Sequence, residues 1–306
     1  MTNGAGITEH TPSTGTGETG TPARRLPDSL RLGHVRLQVG DLSRSLEYYS
    51  GILGLHVQAS DSSSATLTAA GDSAPLVQLV ERPGTVPVQP HGRLGLYHFA
   101  LLVPDRGALG RFLRHLSETG TRIGASDHLV SEAIYLRDPD GLGIEVYADR
   151  PRAAWRLVDG QIQMATAPLD TESLIAAAKG APWNGMAAGT VMGHMHLHVA
   201  DIDLASRFYH EVLGLDRIVW TIPGALFLSA GGYHHHLGLN TWAGRDADSP
   251  SDREARLLEW RMLFPTSAGA GVAARRLTDA GHGVSEVDGD WIVEDPWGTR
   301  LRLTSS

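Results

Sequence analysis

The sequence predicts an α+β fold built from four βαβββ modules that group as two pairs. Two observations predict it: one segment recurs at an offset of 160 residues, and an Asp-Pro-x-Gly turn recurs late in each half. Internal repetition is informative because each copy encodes one supersecondary unit that folds in the same way. A chain of 306 residues is also long enough for two domains of ordinary size.

The strongest repeat is a strand followed by a helix. Residues 33–55 read GHVRLQVGDLSRSLEYYSGILGL, and residues 193–215 read GHMHLHVADIDLASRFYHEVLGL. In both copies apolar residues first alternate, which predicts a strand, and then recur at helical spacing. Asp41 and Asp201 stand where they can cap the helix, and Leu-Gly stands where the helix would end.

Two weaker copies complete the set of four modules. The second module begins at His98, with Asp105 seven residues later, and the fourth begins near Glu259. These two copies end in DPDGLGIEVY and DPWGTRLRLT, in which a turn leads into a last strand.

The repeats predict a division of the chain into four parts. Residues 1–27 are rich in Thr and Gly and are predicted to be a disordered tail, neither signal peptide nor membrane anchor. Residues 28–150 would form an N-terminal domain of two modules, and residues 191–306 a C-terminal domain of two more. Residues 151–190 would be a linker, with a helix predicted from LDTESLIAAAKG.

Composition narrows the class of protein. The net charge of −8 and the absence of a basic cluster interleaved with aromatics argue against nucleic acid, and no segment suits a membrane. We therefore expect a cytoplasmic enzyme, with homo-oligomerisation left open. The lack of cysteine excludes thiolate nucleophiles and cysteine-ligated zinc, so His, Asp and Glu remain as metal ligands, and 15 His are available.

The four-module arrangement resembles the vicinal oxygen chelate superfamily, which includes glyoxalases, bleomycin resistance proteins and extradiol dioxygenases. The resemblance covers about residues 30–304. The segments GLYHFALLVPDR, DPDGLGIEVYADRPR and GGYHHHLGLNTW are also similar to the bacterial two-domain catechol 2,3-dioxygenase type. This resemblance implies that paired modules curl around a metal, and that the chain cleaves a catechol-type aromatic diol with Fe(II), or alternatively Mn(II), and O2.

The resemblance also implies where the metal ligands lie. In this superfamily the first strand of a module and the last strand of a module supply them, and in the N-terminal pair those positions hold His34, His98 and Glu145. Two imidazoles and one carboxylate suit Fe(II) or Mn(II). Three protein ligands leave positions open for a diol and dioxygen.

The stretch DHLVSEAIYLRDPDGLGIEVY resembles the extradiol dioxygenase signature. Its elements are His128, Tyr135, the Asp-Pro-x-Gly turn and Glu145. The resemblance implies that Tyr135 donates a hydrogen bond or a proton beside the substrate, and that His128 has an acid-base role. In the C-terminal half, 157 residues further on, Glu145 is matched by Arg302, which cannot ligate a cation.

Alternatives remain open for the site and for the function. The C-terminal domain carries the activity in the familiar two-domain relatives, so a site built from His194, one residue of 234–236 such as His236, and Glu259 is the alternative. For the function, the alternatives are a glyoxalase-like metal-dependent lyase or isomerase, which needs no oxygen, and a metal-free protein that binds a small molecule or drug. The fold by itself cannot choose among them.

Overall fold

The computed structural model describes residues 25–89 and 93–305. Most of the predicted tail, residues 1–24, lies outside the described residues. The last part of the predicted tail is ordered, however. Leu26 is buried and donates its backbone N–H to Gly214, and Arg25 pairs with Asp216 at 3.0 Å.

The predicted α+β class with four βαβββ modules is confirmed, and each module begins with a strand and a capped helix. The elements of the first module are β1 (Arg31–Leu32), β2 (Val35–Val39), α1 (Leu42–Gly51), β3 (His56–Ser60), β4 (Ser64–Thr68) and β5 (Pro75–Glu81). Those of the second are β6 (Gly95–Leu102), α2 (Arg106–Glu118), β7 (Gly124–Asp127), β8 (Ser131–Arg137) and β9 (Gly143–Asp149).

The linker contains a short 3₁₀ turn, a small hairpin and the predicted helix, namely Arg152–Ala154, β10 (Leu157–Val158), β11 (Gln161–Ile162) and α3 (Thr171–Ala177). The third module consists of β12 (Val191–His198), α4 (Ile202–Ser206) continued by a π-helical segment (Arg207–Val212), β13 (Asp216–Val219), β14 (Ala225–Ser229) and β15 (Leu237–Asn240). The fourth consists of β16 (Arg256–Phe264), α5 (Ser267–Asp279), β17 (Val284–Val287), β18 (Asp290–Glu294) and β19 (Arg300–Ser305).

The module helices begin where the sequence indicated. Asp41, Asp105 and Asp201 each accept a hydrogen bond from the backbone N–H three residues later, and Thr266 does the same in the fourth module. Such a cap satisfies a backbone donor that has no partner within the helix.

The strands form two curled sheets, and each sheet joins one module from the first half of the chain to one from the second half. One sheet has the order β17-β18-β19-β16-β2-β5-β4-β3, with β1 beside β16, and the other has the order β13-β14-β15-β12-β6-β9-β8-β7. The first module therefore shares a sheet with the fourth, and the second with the third.

This arrangement differs from the expectation that the two modules of each half share a metal site. Residues 28–150 and 191–306 each contribute one module to either sheet. The physical reason is that the first strands pair between the two halves of the chain: β2 pairs with β16 and β6 pairs with β12, both antiparallel. The first strands of the first and third modules are similar in sequence, so local sequence does not specify which of them pairs with β6.

One hydrophobic core spans all four modules. Its largest fully buried side chains include Trp260, Tyr49, Phe99 and Phe208. The module helices contribute buried side chains to this core. No helix in the described ranges combines the length and apolar character needed to cross a membrane.

Candidate metal centre

The register of three neighbouring strands brings together His98, Glu145 and His194. On the second sheet, Ala100 of β6 lies opposite His194 of β12 on one side and opposite Glu145 of β9 on the other. His98 precedes Ala100 by two residues and therefore projects from the same face. Three chain segments far apart in sequence thus place one side chain each at the same point of the sheet.

The three side chains form a compact buried cluster. The Nε2 atoms of His98 and His194 lie 3.0 Å and 3.2 Å from the same oxygen, Oε2 of Glu145. One potential ligand atom from each residue lies within 4.8 Å of the others. All three residues are at least 95% shielded from solvent.

The hydrogen bonds of this cluster are incomplete. The His194–Glu145 contact has hydrogen-bond geometry, whereas His98 Nε2 and His194 Nδ1 have no hydrogen-bond partner within the described part of the chain. An unpaired buried nitrogen costs free energy. A divalent cation between the three residues would engage the His98 lone pair, so the donor set fits a metal ion.

The electrostatic environment also suits a cation. Burial raises the pKa of Glu145, but the interactions with His194 and His98 lower it by more than burial raises it. The pKa of Glu145 therefore lies well below the usual range. Burial lowers the pKa of His98, with Glu145 acting in the opposite direction. An ionised carboxylate beside neutral imidazole is the state in which these groups ligate metals.

Of the predicted ligands, the structure brings His98 and Glu145 together but not His34. His34 lies just before β2, in the other sheet, because its module pairs with the fourth module. His194, named only in the alternative site, occupies the expected position of His34. The two histidines are the same residue of the repeat, 160 positions apart.

The position of the other sheet that corresponds to the cluster holds an ion pair. Arg302 donates from Nε to Oε1 of Glu259 at 2.8 Å, and Arg261 lies 3.0 Å from the same oxygen. Burial and the neighbouring Arg261 lower the pKa of His34 to about 4. The guanidinium of Arg302 thus neutralises the carboxylate, as a metal ion would at the cluster of the second sheet.

The alternative site does not assemble. Glu259 lies in the other sheet and pairs with Arg302 and Arg261, whereas His194 contacts Glu145. His236 accepts a hydrogen bond at Nδ1 from the backbone N–H of Ala230, at 3.2 Å, and lines a different cavity.

A cavity of about 570 Å³ opens over the cluster. Both predicted catalytic residues, Tyr135 and His128, line it. His128 Nε2 lies 2.6 Å from Tyr135 Oη, and His128 Nδ1 lies 2.7 Å from the carbonyl oxygen of Ala165. Because a carbonyl only accepts, Nδ1 of a neutral His128 carries the proton and Nε2 accepts from the phenol. Burial raises the pKa of Tyr135 well above its usual value, which keeps the phenol protonated.

His235 is a further residue of the cavity that sequence reasoning did not single out. Its ring lies 4.1 Å from that of His194, measured between centroids. His234 Nε2 lies 2.9 Å from Asp149 Oδ1, and the Nδ1 atoms of His234 and His235 are 2.7 Å apart.

This chain of contacts determines which nitrogen of His235 carries the proton in the neutral ring, the state that burial favours by lowering the pKa of His235 well below its usual value. When His234 donates from Nε2 to the Asp149 carboxylate, its Nδ1 accepts from Nδ1–H of His235. The lone pair of His235 then lies on Nε2. The run of three His was visible in the sequence, but which of them reaches the cavity depends on the loop before β15.

His196 also lines the cavity but is already engaged. The Asn240 side-chain amide donates to His196 Nε2 at 2.9 Å, while its carbonyl oxygen accepts from His198 Nδ1 at 2.6 Å. This pairing supports a structural role on the polar face of the sheet.

Comparison with known proteins identifies relatives. Residues 31–146 match the family model described as the Glyoxalase/Bleomycin resistance protein/Dioxygenase superfamily. The chain is 42% identical over 272 residues to a catechol-2,3-dioxygenase of Bacillus subtilis (strain 168), covering 88% of this chain and 95% of that protein. It is 28% identical over 120 residues to biphenyl-2,3-diol 1,2-dioxygenase 3 of Rhodococcus globerulus, covering 39% of this chain and 63% of that protein.

Solved structures share the fold. A putative dioxygenase from Bacillus subtilis subsp. subtilis str. 168 superimposes with a TM-score of 0.62 at 14% identity, covering 92% of this chain and 86% of the other. Glyoxalase I from Zea mays superimposes with a TM-score of 0.54 at 17% identity, covering 90% and 92%. At these identities the likeness concerns the fold alone.

Proposed function

Since the chain belongs to the glyoxalase/bleomycin resistance protein/dioxygenase superfamily, we propose that it is an extradiol dioxygenase that opens a catechol ring beside its two hydroxyls, using Fe(II) and O2. The observation that carries the proposal is the cluster of His98, Glu145 and His194 at the base of a cavity that also holds Tyr135 and His235.

The three clustered residues would hold the metal. Two imidazoles and one carboxylate accept Fe(II) or Mn(II), and three protein ligands leave room for both oxygens of a diol. When bound, the ion supplies Lewis acidity toward the diol hydroxyls and a route for electron density from the ring to oxygen. The protein supplies geometry, proton transfer and exclusion of water.

We assign the removal of a diol proton to His235. Its Nε2 carries the lone pair because His234 and Asp149 hold the proton on Nδ1. The ring lies next to His194 and lines the cavity, so it stands beside the site where a diol would bind. A proton acceptor within hydrogen-bond reach is the geometric requirement for general base catalysis.

We assign hydrogen-bond donation to Tyr135, whose phenol is held by His128 on the other side of the cavity. The phenol has a single O–H, which Nε2 of a neutral His128 accepts in this structure, so donation toward negative charge on substrate oxygen requires that O–H to turn away from His128. A protonated His128 would instead donate from Nε2 to Tyr135 Oη and leave the O–H directed at the substrate.

The test compares two histidines at equivalent positions of the repeat. Wild type, His194→Ala and His34→Ala are reconstituted anaerobically with Fe(II), and metal content, oxygen uptake and absorbance of the yellow ring-opened product are measured with catechol. We expect His194→Ala to lose metal and activity, and His34→Ala to keep both. Loss of metal in His34→Ala alone would refute the proposed site.

The two alternative functions predict different results in the same assay. A glyoxalase-like lyase or isomerase would turn over a non-aromatic substrate without oxygen and with a redox-inert metal. A metal-free binding protein would keep its ligand affinity in His98→Ala and Glu145→Ala. Failure of the iron-loaded protein to consume oxygen with any of a panel of catechols would contradict the dioxygenase proposal.

A further inference from the structure

The cavity over the cluster is larger than a single aromatic ring requires. Its volume of about 570 Å³ lies in the range of cavities that enclose drug-sized ligands. A diol bound at the cluster would therefore leave space beyond the ring, and the side chains around that space decide which substituents are accepted.

One wall of this space is apolar. Phe227, Met164 and Ile222 line the cavity and belong to a small hydrophobic cluster separate from the main core. The Phe227 ring lies 5.0 Å from that of His235, measured between centroids, and meets it edge to face. The apolar wall therefore begins directly beside the position proposed for the diol.

Part of this wall comes from the linker. Residues 164–166, which we call the strap, all line the cavity. On one side the strap is tied to the second module, because Asp127 and Ala167 exchange two backbone hydrogen bonds of 2.9 Å. On the other side Gln161 Oε1 accepts from the backbone N–H groups of Trp220 and Thr221, at 2.8 Å and 3.2 Å. The strap thus spans from the second module to the third.

The lining offers no permanent positive charge to a substrate. Within residues 25–89 and 93–305, no Arg or Lys lines this cavity, and its other polar groups include the hydroxyls of Ser126, Ser131 and Thr166. A carboxylate attached to the ring would lose hydration against Phe227 and Ile222 without gaining a counter-charge. Burying an unpaired charge in this way is costly.

We propose that the cavity selects catechols that carry an uncharged apolar substituent, alkyl or aryl, and that Met164 of the strap contacts that substituent. This inference rests on the proposed dioxygenase function. An apolar substituent gains burial against the wall, whereas a carboxylated catechol loses hydration there.

The first experiment measures kcat/KM of the iron-loaded protein for four compounds: catechol, propylcatechol, phenylcatechol and dihydroxybenzoate. We expect propylcatechol and phenylcatechol to exceed catechol by about tenfold or more, because each methylene in an apolar pocket is worth roughly tenfold or more. Dihydroxybenzoate is expected to fall below catechol.

Variants then test which residues set the preference. Met164→Ala should lower the ratio of propylcatechol to catechol kcat/KM by roughly tenfold. Gln163→Ala is the matched control, since Gln163 is an exposed neighbour in the linker and its side chain does not line the cavity. It should leave the ratio unchanged. Ile222→Lys adds a positive charge at a half-exposed position and should raise the ratio of dihydroxybenzoate to propylcatechol.

The outcomes separate this inference from the function on which it rests. Turnover of dihydroxybenzoate or catechol that equals or exceeds turnover of propylcatechol would overturn the inference and leave the dioxygenase function standing. An unchanged ratio in Met164→Ala would remove Met164 from the substituent site. Absence of oxygen uptake with all four compounds would overturn both proposals.

Discussion

Tyr49 donates a hydrogen bond from its phenol to Asp138, with 3.0 Å between Oη and Oδ2. The repeat makes the same bond a second time, from Tyr209 to Asp295 at 2.9 Å. Each bond runs from the helical segment of one module to the Asp-Pro-x-Gly turn of the next module, which belongs to the other sheet. The two modules of each half are thus linked between the sheets by buried side chains, whereas strand pairing links modules of different halves within one sheet.

Removing the Tyr49 hydroxyl should destabilise the fold. Tyr49→Phe leaves buried Asp138 without one of its donors, and we expect the free energy of unfolding to fall by about 1–3 kcal/mol. Urea denaturation followed by circular dichroism measures the change. Tyr209→Phe should cost a similar amount. Tyr48→Phe, which alters a half-buried neighbour, should cost less, and an equal loss in all three variants would argue against a specific role of the bond.

Asp138 should make stability depend on pH. Burial raises its pKa from the ordinary 3.8 to about 7, despite the hydrogen bonds that it accepts. Between these two values the folded state binds more protons than the unfolded state, so the free energy of unfolding falls as pH rises from about 4 to about 7. Asp138→Asn should flatten this part of the profile. Burial also raises the pKa of Asp295, so some slope should remain until Asp295→Asn is added. A profile that Asp138→Asn leaves unchanged would contradict the assignment.

Metal should stabilise the folded protein through the cluster in the second sheet. Ligand that binds only the folded state adds about 2.7 kcal/mol at a concentration one hundred times its Kd. We expect Fe(II) or Mn(II) to raise Tm in wild type and a chelator to reverse the shift. His98→Ala and Glu145→Gln should show no such shift, whereas His34→Ala should respond as wild type does. A full shift in Glu145→Gln would place the metal elsewhere.

Tyr135 should affect chemistry more than metal binding. Tyr135→Phe keeps the ring but removes the donor, and kcat should fall by about 100-fold while metal content stays at the wild-type level. His128→Ala removes the acceptor that orients the phenol and should cost less than Tyr135→Phe. Stopped-flow measurement of product absorbance under saturating oxygen separates kcat from KM. Wild-type kcat in Tyr135→Phe would exclude the phenol from proton transfer.

Much of the local structure was readable from the sequence. The Asp residues that begin three of the four module helices, the recurring Asp-Pro-x-Gly turn and the linker helix all depend on contacts within a few residues, which the sequence displays directly. The pairing of Glu145 with His98 was also predictable, because both lie in one module, on strands β6 and β9 that are adjacent and parallel.

By itself, then, the sequence determined the four modules, their caps and turns, and the residue types from which a metal site could be built. Only the tertiary structure decided that β6 pairs with β12, which brings His194 rather than His34 to Glu145, and that the linker crosses the cavity with Met164. The physical reason is that the repeat gives the first strands of the first and third modules, β2 and β12, the same alternating pattern. Which strands pair is a long-range outcome of packing, and it selects one of two equivalent histidines.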